Sequence, residues 1–154
     1  MTTWKQALCR GALTGSLASL ASMAALAWRG RHDTGSTAAA LNAPSHWLFG
    51  DRALWQDAPS WRFTGSGVTI HHLSAVMWGV LYEKFIARGR RRSPLPQQVG
   101  EAVVATAAAA VVDFALTPKR FTPGFEHRLT LRSLGIVYGA FALGIAAGSF
   151  IGRR

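Results

Sequence analysis

The sequence predicts an all-α integral membrane protein, and three observations lead to this fold class. Four stretches are apolar and nearly free of charge, and each is about as long as a helix that crosses a bilayer. The basic residues gather at the ends of these stretches. Small residues recur at every fourth position in the first and last stretches, as they do where membrane helices touch. We therefore expect one membrane domain over residues 1–154, a four-helix bundle with spans at about 11–28, 63–82, 102–118 and 133–152.

The charge distribution separates this prediction from a soluble alternative. The chain has 17 Lys and Arg against 7 Asp and Glu, a formal net charge of +10. A soluble protein this basic would be expected to bind nucleic acid, with its cations along one face among aromatic residues. Here the cations flank apolar runs instead, where they meet anionic headgroups. We expect the lipid bilayer as partner and no nucleic acid.

The first span, 11–28, has the length and the small residues of a packed membrane helix. Its 18 residues would rise about 27 Å. Gly11, Gly15 and Ser19 follow the small-xxx-small spacing and predict a helix-packing face. A cleavable secretory signal is the alternative, because basic residues precede the run and Ala25–Ala27 resembles a cleavage site. The run lacks the dense leucine core of such a signal, so we expect it to be retained.

A long, Trp-rich connection follows the first span. Its first part, 29–40, is rich in Gly, Ser, Thr and Ala and is expected to be irregular. A short interfacial helix is expected over about 45–58. Trp47, Trp55 and Trp61 near a membrane boundary are typical of rings at headgroup depth, so we interpret them as interfacial anchors. A lid that contacts a substrate is the alternative.

The second span, 63–82, holds the most polar patch of the four, the adjacent His71 and His72. It ends at Glu83 and Lys84. We interpret these two residues as an interfacial ion pair whose charged groups are solvated, which is the usual arrangement at the end of a membrane helix.

The third span, 102–118, consists largely of Ala and Val and carries Asp113. A charged residue costs about 2.5–3.5 kcal/mol at the centre of an inserted helix. We therefore expect this helix to be the best shielded of the four, with Asp113 facing other helices. The fourth span, 133–152, ends in a second predicted packing face made of Gly144, Gly148 and Gly152.

Four spans would place both termini on the same side of the membrane. Nine Lys and Arg lie on that side and eight on the other, so the numbers alone do not decide the orientation. Five of the nine lie in one short connection, 84–92, and such density beside a span marks the cytoplasmic side. We expect both termini in the cytoplasm and the Trp-rich connection outside.

Five polar residues are predicted to lie at similar depth in the outer half of the bundle. They are His71, His72, Asp113, Thr117 and Tyr138. A carboxylate in a membrane stays ionised only if it is paired or wet, and an imidazole titrates near neutral pH. Two interpretations stay open: a proton or cation relay or small polar ligand site, and a structural contact that fixes helix register.

No motif commits the chain to a reaction. Adjacent histidines point about 100° apart on a helix, and no H-x-x-x-H or H-E-x-x-H occurs, so we expect no metal site. A nucleophile elbow and a phosphate-binding loop are absent from the sequence as well. We expect no cofactor, and an enzyme is the less favoured class.

Short motifs in the last two-thirds of the chain resemble a known family. A span with histidine and serine that ends in Tyr-Glu is followed by a basic connection and a span that ends in Leu-Thr-Pro. This order is similar to that of small uncharacterised bacterial inner-membrane proteins of the YagU-like kind. The resemblance implies a multi-pass, four-helix protein of the bacterial inner membrane whose activity is not established. The matching residues are His71 or His72, Ser74, Tyr82, Glu83, Leu116, Thr117 and Pro118.

The leading expectation for function is a structural, interaction or accessory membrane protein, as a homo-oligomer or with a partner membrane protein. The Gly-rich faces and the small number of spans favour it. A proton- or cation-coupled transporter or stress-response protein that uses a His/Asp pair is the first alternative. A membrane-embedded enzyme is the second.

Overall fold

A computed structural model describes residues 2–87 and 94–152, and every regular element in these ranges is helical. The all-α prediction is therefore confirmed. The basic residues Arg88, Arg90, Arg91, Arg92, Arg153 and Arg154, on which much of the predicted orientation depends, lie outside the described residues.

Six α-helices and several short turns make up the described chain. The helices are α1 (Trp4–Thr34), α2 (Ala39–Asn42), α3 (His46–Phe49), α4 (Ser66–Leu81), α5 (Leu95–Val111) and α6 (Leu131–Gly152). π-helical turns occupy Trp61–Gly65, Tyr82–Ile86 and Val112–Leu116. The first two flank α4, and the third continues α5.

Three of these helical segments are long and apolar enough to cross a membrane: Trp4–Thr34, Leu95–Leu116 and Leu131–Gly152. The helix that carries the expected span 63–82 is not among them. Its two adjacent histidines and the glutamate that follows lower its mean hydropathy.

Helix α1 continues beyond the apolar run, so the expected irregular structure is wrong for residues 29–34. Gly30 lies within the helix, which ends only at Gly35, where φ is 82°. Arg29 and Asp33, one turn apart, form an ion pair that supports this last part of the helix.

The Trp-rich connection is not the single helix expected over 45–58. It is divided into α2, α3 and two 3₁₀ turns, and Gly50, with φ of 71°, interrupts it after α3. The side chain of Asn42 organises the segment: its Nδ2 donates to the carbonyls of Gln56 and Ala58 at 2.8 and 3.1 Å. Its Oδ1 accepts from the Thr64 hydroxyl at 2.6 Å. Asn42 is fully buried, and its side chain thus joins the end of α2 to three later points of the connection.

The chain divides into two compact units. Unit 1 comprises Met1–Ser22, His72–Ala109 and Gly139–Arg154, and unit 2 comprises Met23–His71 and Ala110–Tyr138.

In unit 1, α1 and α4 run antiparallel with their backbones in contact. A Cβ added to Gly11 would lie 2.4 Å from Val80 Cα, and one added to Gly15 would lie 2.4 Å from Val76 Cα. A Cβ on Gly79 would lie 2.5 Å from the carbonyl oxygen of Gly11. Only glycine allows two helices to approach this closely.

Helix α6 packs against α1 in unit 1 in the same way. Added Cβ atoms on Gly144 and Gly148 would lie 2.4 Å from Ala18 Cα and 2.5 Å from Thr14 Cα. Gly152 makes an ordinary contact at 3.6 Å with a leucine side chain of α1. Residue numbers rise along α6 as the numbers of their partners fall along α1, so the two helices are antiparallel. The start of α1 therefore lies beside the ends of α4 and α6.

Mostly small side chains fill the interior of unit 1. This allows hydroxyl and carboxyl groups on neighbouring helices to reach one another. The buried cluster consists of Ala18, Ala75, Tyr82, Ala87, Ala102, Ala105, Phe141, Ile145 and Ala146.

In unit 2, a polar network joins the end of α1 to the start of α6. The Asp33 carboxylate accepts from the Thr130 backbone N–H at 2.9 Å and from the Thr130 hydroxyl at 3.1 Å. Arg29 donates to Asp33 at 3.3 Å and to the Ser133 hydroxyl at 2.9 Å. The Thr130 hydroxyl also accepts the Ser133 backbone N–H, which caps α6.

Candidate functional site

The strongest polar contact among the predicted site residues joins Asp113 to Tyr138 in unit 2. The Tyr138 hydroxyl donates to Asp113 Oδ2 at 2.6 Å. Asp113 lies in the π-helical turn Val112–Leu116, which ends where the Thr117 N–H and hydroxyl both donate to the Val112 carbonyl, at 2.8 and 2.7 Å. Such a turn changes the direction in which side chains leave a helix and is frequent at functional sites.

Aromatic rings surround this pair. The Phe125 ring lies between His71 and Tyr138, with centroid distances of 6.3 and 6.5 Å, and is nearly buried. Phe114, which is 42% exposed, packs against Tyr138 at 5.7 Å. The rings shield Asp113 and Tyr138 in part, since both residues are half-buried, and this strengthens the hydrogen bond between them.

A second carboxylate, that of Glu126, belongs to the same cluster. It interacts electrostatically with both Asp113 and Tyr138. Its Oε2 is buried and has no hydrogen-bond partner, and its Oε1 lies 3.8 Å from His127 Nε2. Within residues 2–87 and 94–152, no Lys or Arg forms an ion pair with either carboxylate. Two acidic groups therefore share one apolar site with a neutral phenol.

The five predicted polar residues take three different roles. Asp113 and Tyr138 meet directly, and His71 reaches the same cluster through Phe125. Thr117 makes only the local bond that ends the π-helical turn. His72 belongs to unit 1, where its Nδ1 lies 3.1 Å from the Ser19 hydroxyl. Ser19, predicted for helix packing, is thus fully buried and a polar partner as well.

Glu83 is a buried polar residue, and its interpretation as part of a solvated ion pair is wrong. Its side chain is 2% exposed, and its Oε1 accepts from the Thr14 hydroxyl at 3.2 Å. Lys84 instead donates to the Thr2 carbonyl at 2.8 Å and covers the Trp4 ring at 4.9 Å. The sequence does indicate which way Glu83 faces: it lies one turn after Gly79 and therefore on the face of the helix that packs against α1.

Other buried polar groups line the interior of unit 1. The Tyr82 hydroxyl donates to the Ser149 hydroxyl at 3.2 Å. Serine and threonine occupy tightly packed positions of this interior where a core usually has apolar side chains, and buried hydroxyls require hydrogen-bond partners. Its buried polar residues are Thr14, Ser19, Ser22, Glu83, Gln98, Thr106 and Ser149.

The three predicted interfacial tryptophans differ in their surroundings. Trp55 and Trp61 are 64% and 94% exposed. The Arg128 guanidinium lies 5.5 Å from the Trp55 ring. Trp47 is half-buried and its Nε1 donates to the Thr122 carbonyl at 2.8 Å. Trp55 and Trp61 thus present the surface that a headgroup anchor needs, whereas the Trp47 ring is already engaged within unit 2.

No group of three or more His, Cys, Asp or Glu residues that could hold a metal ion occurs in the described ranges. No protein-family model matches the chain, and no curated protein or solved structure is significantly similar to it.

Proposed function

We propose that this chain is a four-span protein of the bacterial inner membrane in which Asp113 takes up and releases a proton, as proton-coupled transport or pH sensing requires. The observation that carries the proposal is the pairing of Asp113 with a neutral donor, Tyr138, beside a second carboxylate, Glu126. A carboxyl group in a membrane helix that has no cationic partner is typical of proton pathways.

A purely structural role accounts for only part of this arrangement. One hydrogen bond from Tyr138 to Asp113 would be enough to fix the register of α5 and α6. It would not require Glu126, whose buried Oε2 lacks a donor at a cost that a structural site would avoid. The aromatic rings and the His71 imidazole, which can accept and donate a proton, complete the surroundings of Asp113.

The proposed topology places both termini in the cytoplasm. In unit 1 the start of α1 lies beside the ends of α4 and α6, and the Lys84 side chain reaches the Thr2 carbonyl. This is the arrangement that four antiparallel spans with both ends on one side would have. The YagU-like resemblance supports the bacterial inner membrane, and the basic connection 84–92 supports the orientation.

Asp113→Asn should remove one titrating carboxyl group from the protein. We expect infrared difference spectra between acid and alkaline pH, recorded on the protein in nanodiscs, to lose a carboxyl band that exchanges slowly with deuterium. Tyr138→Phe should keep that band but shift it, because the carboxyl loses its hydrogen-bond donor.

The exposed Asp51 provides a matched control. Asp51→Asn should remove only a rapidly exchanging band. The proposal fails if the infrared difference spectra of the wild type and Asp113→Asn show the same bands across the titration. If the variant is then also less stable, Asp113 has a structural role.

A structural or interaction role is the second candidate, and the outer face of α6 in unit 1 favours it. A Cβ added to Gly139 meets no atom within 4 Å, and Leu143 and Ala147 on the same face are exposed. Gly139 and Ala147 are small, as are Gly144 and Gly148 on the face that packs within the unit, but among the described residues no helix covers Gly139, Leu143 and Ala147. It could receive a helix of a second copy or of a partner membrane protein.

Gly139→Leu tests this second candidate. If the face is an interface, the variant should shift crosslinked or mass-measured oligomers towards monomer, whereas Gly139→Ala should keep them because alanine is still small. An oligomer distribution that is the same in all three proteins would exclude this face as the interface. Nothing in the described ranges favours the membrane-embedded enzyme.

A further inference from the structure

An open cavity in unit 1 lies between Ile86 and the first turns of α5. Its volume is about 380 Å³, within the range of small-molecule sites. Its walls are mainly apolar, from Ile86, Val104 and the backbone at Gly100, and two polar side chains, Gln97 and Glu101, complete the lining. A Cβ added to Gly100 would meet no atom within 4 Å, so the cavity extends to the helix backbone.

The Glu101 carboxylate is incompletely paired. Its Oε1 accepts from Gln97 Nε2 at 2.9 Å, which holds the group beside the cavity. Its Oε2 is buried and has no hydrogen-bond partner. Glu101 as a residue is half-buried, but a buried carboxylate oxygen without a donor is costly, and no ion pair of the described residues compensates for it. The last torsion of a glutamate turns easily, so either oxygen can be presented to a ligand.

We propose that this cavity binds a protonated hydrophobic amine. An ammonium group would donate to the open oxygen of Glu101 and neutralise its charge. The apolar body of the ligand would cover Ile86, Val104 and the bare backbone at Gly100. This site is in unit 1 and does not depend on the proton site proposed for Asp113.

The lining argues against other ligand classes. A divalent metal ion needs several oxygen ligands, and this cavity supplies one carboxylate and one amide. An anion would be repelled by Glu101. A neutral apolar molecule would fill the walls but leave the carboxylate oxygen without a donor. The shared chemistry is an ammonium group on an apolar body, which a membrane lipid with an amine headgroup or a free amine can supply.

Binding of amantadine, an ammonium ion at neutral pH, tests the proposal, with adamantanol as its uncharged counterpart. We expect the wild type in phosphatidylcholine nanodiscs to bind amantadine. Adamantanol should bind more weakly, by a factor of about ten at least. Glu101→Gln should weaken amantadine binding about tenfold or more, because the charge partner is lost. Gly100→Leu should abolish binding by filling the cavity, without loss of folding, since the space beside Gly100 is open.

Val103→Leu is the matched control, because Val103 is exposed elsewhere on α5 and does not line the cavity. It should bind amantadine as the wild type does. Equal binding of amantadine and adamantanol, undiminished binding by Glu101→Gln, or no amantadine binding at all would overturn the proposal. Adding phosphatidylethanolamine distinguishes the sources: competition with amantadine in the wild type identifies a lipid headgroup, and its absence identifies a free amine.

Discussion

Replacing Gly79 by alanine is expected to destabilise the protein, although glycine to alanine is ordinarily favourable within a helix. The new Cβ would lie 2.5 Å from the Gly11 carbonyl oxygen and from the Gly15 nitrogen, and 2.7 Å from Gly15 Cα. These are backbone atoms, so no side-chain rotation relieves the clash and α4 must move away from α1. We expect a loss of about 2–3 kcal/mol, in the upper part of the range for overpacked cores. Thermal unfolding of the detergent-solubilised protein measures it.

The same substitution at Gly139 is the control. Gly139 is in a helix as well, but its added Cβ would meet nothing within 4 Å. Gly139→Ala should therefore leave stability unchanged or raise it slightly. Equal melting temperatures for the wild type and Gly79→Ala would show that α1 and α4 do not pack through their backbones.

Replacing Asp33 by alanine is expected to disconnect the end of α1 from the start of α6 in unit 2. The substitution removes the acceptor for the Thr130 N–H and hydroxyl and for the Arg29 guanidinium. The Asp33 and Arg29 side chains are only 4% and 11% exposed, whereas Thr130 is exposed, so water can replace the acceptor for Thr130 but replaces the one for Arg29 poorly. We expect a loss of about 2 kcal/mol, the net value of a few hydrogen bonds that include one between charged groups. A fully buried ion pair would lose more, but the His32 edge of the network is open to solvent.

Two comparisons give this prediction its controls. Asp33→Asn keeps an acceptor for Thr130 but loses the charge that faces Arg29, so its stability should fall between those of the wild type and Asp33→Ala. Asp57→Ala breaks the ion pair with Arg128, whose aspartate is 60% exposed, and should have a much smaller effect. If Asp33→Ala loses no more stability than Asp57→Ala, the network around Asp33 contributes no more than an exposed ion pair.

Local pattern predicted the helices well where apolar residues continue without a breaker. The run from 102 to 118 indicated a helix, and α5 with its π-helical turn covers Leu95–Leu116. The expectation that this helix is the best shielded is wrong, because it is the least buried of the three membrane-compatible segments. The helix begins at Leu95, before the apolar run, and the polar residues Gln98 and Glu101 occupy its first turns. Polar residues in the first turns do not break a helix, since its free N–H groups favour them.

Contacts between residues distant in sequence could be predicted only where their expected depth in the membrane leaves few possible partners. Asp113 and Tyr138 were expected at similar depth, and the structure joins them by a hydrogen bond. The central role of Asn42 in the Trp-rich connection was not expected, because its local sequence does not differ from that of an exposed polar residue. For Glu83 the sequence offers only its spacing from Gly79, which gives the helix face but not the hydroxyl partner. What decides their burial is the set of partners that other segments bring.

The amino-acid sequence by itself determined that the chain is helical and that three of its helices suit a membrane, because length and apolar content are properties of each segment alone. It also determined where backbones can approach, since glycine lacks the Cβ that would keep them apart. Only the tertiary structure decided which carboxylates are buried, which hydroxyls they meet and where a cavity remains. These depend on contacts between residues far apart in the chain, and a one-dimensional pattern of polarity does not contain them.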